Sequence, residues 1–278
     1  MKLPQTVLSV SAVLVLLQLI AGSVVAGEFE GSMTSRHSYF ALDDLRRIIE
    51  SEEEAREFLF SNSVDDIRAL FGDHSMEDGL SQDTWTIRMK GDQFRVDATD
   101  DGEKQSFLYN SSGSEMITLL HNQQVAMVIS LAEHLGMGDE TDMFSEEEGE
   151  GHFSLAPTGK EMVIHDLRCQ EYIGTDSDGD ALQAWIHSGK ADWYENLWGA
   201  MDKFAAVLEG DAGEDGVDKE EAFYRKTGFP VVSKTISMED VNINEILSIG
   251  TEGVSDDLFT IPAGYQRVTP RQMMQMEK

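Results

Sequence analysis

A single cysteine, Cys169, serves a chain of 278 residues, so no internal disulfide can form and the fold must rest on its hydrophobic core. Lying in a segment of alternating apolar residues, Cys169 reads as a small core residue rather than a reactive thiol. Basic residues are scarce as well: 21 Lys and Arg stand against 52 Asp and Glu, a formal net charge of −31. That balance excludes nucleic acid, whose phosphates are held by Lys and Arg, and it argues against electrostatic attachment to an anionic membrane. It fits a self-repelling surface that stays in solution.

The signatures of catalysis are also missing. The seven histidines form no H-E-x-x-H or H-x-H arrangement, and there is no G-x-S-x-G elbow and no phosphate-cradling glycine pattern. Asp176-x-Asp178-x-Asp180 has the carboxylate spacing of a calcium loop. Ala181, however, stands where such a loop needs glycine, and His187 where it needs a bidentate glutamate, so a hairpin turn is the better reading. The expectation is a protein that is not an enzyme and has no metal site and no cofactor.

Only one apolar stretch is long. Residues 1–26 read as a secretory signal, with Lys2 as the basic start, Val7–Ile20 as the apolar run and Val24-Val25-Ala26 before a cut ahead of Gly27. The run to Ala26 is nearly long enough to span a bilayer, so a retained anchor is the rival reading. No cysteine follows the signal to carry a lipid. Cleavage leaves 278 − 26 = 252 residues, periplasmic or secreted and not membrane-spanning.

What the chain does have is β patterning. In Thr84–Lys90, Trp85, Ile87 and Met89 alternate with polar residues, and after Gly91-Asp92 the alternation resumes with Phe94, Val96 and Ala98. Further strands are expected at Ser106–Asn110, Met116–Leu120 and Val125–Ile129, making an antiparallel meander. A first strand is expected around Phe29–Thr34. Residues 35–82 break the pattern and read as three short helices forming a side module, with capping signatures at Ser51/Glu54 and Ser63/Asp66. Leu131–Leu135 suggests a turn or two of helix, and residues 138–151 form an acidic loop. Strands are expected again at 161–164, 168–173, 181–186, 231–237, 241–250 and 258–262, with a short helix over 218–226 and an unstructured tail from Arg271. Between these, Lys190–Glu209 reads as the longest helix, with Trp193, Leu197, Met201, Phe204 and Leu208 at three- and four-residue steps.

Several of these residues resemble a bacterial envelope family of unknown function: Phe29-Glu30-Gly31 after a signal, the hairpin Met89–Val96, Cys169 in a strand, Gly228-Phe229-Pro230 opening a strand, and the ending Phe259-Thr260-Ile261-Pro262-Ala263-Gly264-Tyr265. The resemblance covers about two-thirds of residues 27–278 and implies the half-barrel fold of the lipoprotein carriers LolA and LolB. Asp166 stands where the pattern has glycine, and the acidic stretch 35–82 lies outside it. The fold expected is therefore α+β: one domain over 27–270, a curved antiparallel sheet (half-barrel) with helices covering the concave face, plus a small helical insertion.

Two functions follow. In the first, a non-enzymatic binding protein holds an acyl chain, lipid or other apolar ligand between the sheet and a plug helix, lined by Trp85, Ile87, Met89, Phe94, Trp193, Leu197, Trp198 and Phe204. In the second, an envelope interaction protein uses its acidic helical insertion to bind a protein partner.

Overall fold

In the computed structural model, residues 30–47, 49, 51–72, 81–91, 93–100, 103–110, 115–130, 153–189 and 219–276 are described. The plug helix expected at 190–209, with Trp193, Leu197, Trp198 and Phe204, lies outside these residues. So do the signal segment, the helical turn at 131–135 and the acidic loop at 138–151.

Twelve strands form one sheet: β1 (Glu30–Ala41), β2 (Ser81–Lys90), β3 (Gln93–Asp100), β4 (Glu103–Asn110), β5 (Glu115–Leu120), β6 (Val125–Ser130), β7 (Ser154–Ile164), β8 (Leu167–Thr175), β9 (Ala181–His187), β10 (Phe229–Ile236), β11 (Asp240–Gly250) and β12 (Gln266–Val268). Their order is β12-β6-β5-β4-β3-β2-β1-β11-β10-β9-β8-β7. Every pairing is antiparallel except β12 on β6. The expected meander from β2 to β6 is present, each strand bonded to the next in sequence.

The helices are few and short: α1 (Leu42–Arg46), α2 (Glu52–Ser61), α3 (Val64–Gly72), α4 (Lys219–Thr227) and α5 (Pro270–Met276) among the described residues. The α+β half-barrel with helices over its concave face is thereby corrected. The protein is mostly β, an open twelve-stranded sheet whose two edges, β12 and β7, do not pair with each other.

Part of the difference lies in β1. Residues 35–41 carry too many polar side chains to look like a strand, yet they continue it, because three of those side chains are met across the neighbouring strand β11. Arg36 reaches Glu245 at 2.7 Å, His37 reaches Asn242 at 3.1 Å and Tyr39 donates to Asp240 at 2.7 Å. β1 also changes its buried face. Gly31 and Met33 are buried near its start, and Ser38 and Phe40 near its end. An odd-to-even change along a strand whose register with β2 is unbroken moves the core from one side of the sheet to the other. The change coincides with a bulge against β11, where Leu247 is left without a partner between Ile246 and Ser248.

Helices α1 to α3 pack onto the sheet. Their Leu42, Leu45, Ala55, Leu59, Val64, Ile67 and Phe71 share one buried cluster with Phe40 of β1, Val232 and Ile236 of β10, and Val241 and Ile243 of β11. Both expected caps are formed. The Glu54 amide donates to Ser51 Oγ at 3.2 Å, and Ser63 and Asp66 exchange reciprocal bonds, Asp66 N to Ser63 Oγ at 3.2 Å and Ser63 N to Asp66 Oδ2 at 3.3 Å. The segment expected as a last strand is instead a 3-10 helix at Asp256–Phe259, and the tail from Arg271 forms most of α5.

Candidate functional site

Four of the expected ligand-lining residues are described, and the structure brings them together. Trp85, Ile87 and Met89 of β2 lie opposite Ala98, Val96 and Phe94 of β3, on one face of the sheet. Their exposures are 7%, 2%, 2% and, for Phe94, 3%. They belong to one buried cluster with Met33, Val96, Tyr109, Met116, Cys169, Phe229 and Val231. Four such side chains, buried, contribute roughly 1.5–3 kcal/mol each to folding. Cys169 is buried in the same cluster, its thiol donating to the Leu167 carbonyl at 3.4 Å, and burial pushes its pKa up to about 11. A thiol so placed is inert at neutral pH.

On the opposite face of β3 to β5 the structure assembles polar residues that periodicity treated only as the solvent side. Asp97 of β3 binds Arg88 of β2, Arg95 of its own strand (2.7 Å) and Ser106 of β4. Arg95 continues to Ser106 Oγ at 2.9 Å and to the Leu258 carbonyl at 2.7 Å. Ser106 Oγ lies 2.6 Å from His121 Nε2, and His121 Nδ1 lies 2.6 Å from the Tyr265 hydroxyl. The His121 and Tyr265 rings meet edge to face at 5.8 Å.

A serine within hydrogen-bond reach of a histidine invites comparison with a nucleophile and its base. The proton count argues otherwise. Ser106 has one proton and gives it to the Asp97 carboxylate. His121 Nε2 must then donate to Ser106 Oγ, which leaves Nδ1 to accept from Tyr265. Hydrogen bonding thus runs from imidazole to hydroxyl, opposite to a general base, and Ser106 is 1% exposed. Burial and the nearby Arg95 hold the His121 pKa below its usual range, against the pull of Asp97, as this neutral tautomer requires. The network ties residues 258–265 to the sheet. Beside it Leu108, Ile117, Leu119 and Ala126 are buried, with Ile261 and Tyr265 packed on them. The chain signal for this site was the ending Phe259–Tyr265; its partners were invisible, because Ser106 and His121 lie 159 and 144 residues from Tyr265.

A second polar group holds the helices down. Lys234 of β10 is buried and donates to the Leu59 and Asn62 carbonyls, both at 2.7 Å, at the C-terminal end of α2. Gln183 of β9 donates to the Phe60 carbonyl and to Glu171, also at 2.7 Å. Arg68 of α3 and Arg36 of β1 both grip Glu245 of β11, at 3.0 and 2.7 Å, and these hydrogen bonds hold its carboxyl below the usual range despite burial. Outward, the same helices present exposed Asp43, Glu53, Glu54, Glu57, Asp65 and Asp66. Among the described residues no group of His, Cys, Asp and Glu could hold a metal ion, and no helix is long and apolar enough to cross a membrane.

Residues 49–265 match the model of a family described as a domain of unknown function, DUF4412, and the chain belongs to that family. The matched span takes in α2 and α3, which the expected pattern had left out. No curated protein matches the chain. Among solved structures it is similar to an uncharacterized conserved protein from Thermus thermophilus, at 8% identity over 85% of this chain and 90% of that one, with a TM-score of 0.36. A second, the structure of PNGF-II, matches at 10% identity over 89% of this chain but only 33% of its own length, with a TM-score of 0.26. Both scores are too low to transfer an activity.

Proposed function

We propose that this DUF4412 protein is an exported, non-enzymatic binding protein that acts through its surface: the sheet is a filled scaffold, and the acidic outer face of α2 and α3 engages a basic protein partner. The observation that carries this reading is the anchoring of α2 and α3, whose apolar sides share a buried cluster with β1, β10 and β11 while Glu53, Glu54, Glu57, Asp65 and Asp66 stay exposed. Trp85, Ile87, Met89 and Phe94 are buried, so an apolar ligand reaching them would have to displace what covers them. The helices that present Glu53, Glu54, Glu57, Asp65 and Asp66 share the scaffold's core, so their acidic face is held in a fixed position, as a recognition surface requires. Carboxylates gathered on one rigid face steer a basic partner and raise its encounter rate.

The test is native mass spectrometry of residues 27–278 purified without detergent, followed by photo-crosslinking from Glu57 and Asp65 in the cell envelope. A bare mass, together with crosslinks to a basic protein that disappear when Glu53, Glu57 and Asp65 are changed to Lys, is expected. A co-purified lipid that extracts into organic solvent would overturn this reading in favour of an apolar-ligand carrier.

A further inference from the structure

We propose that residues 261–266 form a strap that is latched to the sheet by neutral His121 and loosens when His121 is protonated. The strap crosses the apolar patch of Leu108, Ile117, Leu119 and Ala126. Thr260, Pro262, Ala263 and Gly264 are exposed, and Gly264 adopts φ +93°, so this stretch hangs on few contacts. Ile261 and Tyr265 pack on the patch, Tyr265 bonds His121, and the Gln266 amide donates to the Gln124 carbonyl at 2.9 Å. Upstream, the chain is held more firmly. Arg95 grips Leu258 O, Lys90 reaches Val254 O at 3.0 Å and Asp256 at 2.8 Å, and Phe259 is buried. Downstream, β12 is paired with β6 and Val268 is buried, so opening is confined to the stretch between Phe259 and Gln266.

The latch is sensitive to one proton because its partners are matched to a neutral ring, with the Ser106 proton committed to Asp97 and Arg95 already donating to the same oxygen. Ser106 accepts from Nε2 since its own proton belongs to Asp97, and Nδ1 accepts from Tyr265. A proton added at Nδ1 forces the Tyr265 hydroxyl to turn and accept, and it sets an imidazolium beside the Arg95 guanidinium on one shared acceptor, Ser106 Oγ, at 2.6 and 2.9 Å. The charged groups that face the ring are Arg95 and Asp97 from β3 and Lys104 from β4, with Arg88 of β2 behind Asp97. Arg95 and Lys104 oppose the imidazolium and Asp97 favours it, and burial adds to the opposition. When the strap lifts, His121 regains water and its ordinary basicity. The closed state thus binds fewer protons than the open one, so closure is fully favoured above a pH of about 6.5 and weakens as pH falls below it, by at most about tenfold per pH unit for a single site.

The experiment is hydrogen exchange with mass readout on the full chain, comparing peptides from residues 256–268 with peptides from β9 and β10 as an internal reference for the intrinsic pH effect. Wild-type protection of 256–268, relative to the reference, should fall severalfold from pH 7 to pH 5. Tyr265→Phe, which removes the latch hydroxyl, should show low protection at both pH values with little further change. His121→Gln, which cannot titrate, should abolish the pH dependence. Relative protection that is unchanged between pH 7 and pH 5 in the wild type overturns the proposal. So does a pH dependence that survives in His121→Gln; should that variant fail to fold, the Tyr265→Phe comparison decides.

Discussion

Lys234 shows how one side chain sets the position of a whole element. Two of its three donors are spent on the Leu59 and Asn62 carbonyls, groups that a helix C-terminus leaves without internal partners. Replacing it by methionine keeps the length and removes both donors, so Lys234→Met should lower stability by roughly 1–3 kcal/mol. The pH dependence has a definite sign. Burial lowers the Lys234 pKa from 10.5 to about 8, against attraction to Glu171. Between these values the unfolded chain binds more protons than the folded one, so through this group stability rises as pH climbs from about 8 to about 10.5. Urea denaturation at pH 7.5 and 9.5 should show the gap between wild type and Lys234→Met widening at the higher pH. An equal gap at both would mean the lysine is not desolvated in the folded state.

At the scale of elements, the β7–β8 hairpin explains a departure in the sequence. Ile164 pairs with Leu167, so His165 and Asp166 form a two-residue loop, and both have positive φ, 47° and 63°. Such a loop favours glycine at its second position, because a Cβ there crowds the backbone. That is the physical sense of the glycine expected where Asp166 stands, and aspartate is among the residues that tolerate the conformation. Asp166→Gly should therefore raise stability by roughly 0.5 kcal/mol, visible as a small upward shift in Tm; a loss of stability would show that the Asp166 side chain makes a contribution larger than the strain. The N-caps of α2 and α3 and the alternation of β2 and β3 were legible for a related reason, since their partners lie within a few residues. The continuation of β1 through Arg36, His37 and Tyr39 was not, since its justification sits on β11, more than 200 residues away.

Over the whole molecule the dominant fact is charge. A formal −31 on 278 residues means that carboxylates repel one another across the folded surface more than across an expanded chain. Ion pairs such as Arg88–Asp97 and Arg68–Glu245 consume several of the few basic groups. Screening should accordingly stabilise the protein. Raising NaCl from roughly 20 mM to roughly 0.5 M shortens the Debye length several-fold, and Tm should rise by several degrees over that range. A fall in Tm with salt would indicate that attractive pairs outweigh the net repulsion. The same screening should weaken the proposed complex with a basic partner, so stability and binding should move in opposite directions as salt increases.

Residue order alone determined the local and periodic features: the strands of the meander, the helix caps, the turn at Asp176–Asp180, the burial of Cys169 and the acidic surface. These depend on neighbours a few positions apart or on composition. Tertiary structure decided that twelve strands share one sheet, that the core changes faces along β1, that α1 to α3 belong to the core, and that Tyr265 closes on His121 and Ser106. Each of these depends on pairs of residues far apart in the chain, whose meeting is a property of the folded sheet and leaves no periodic trace in the sequence.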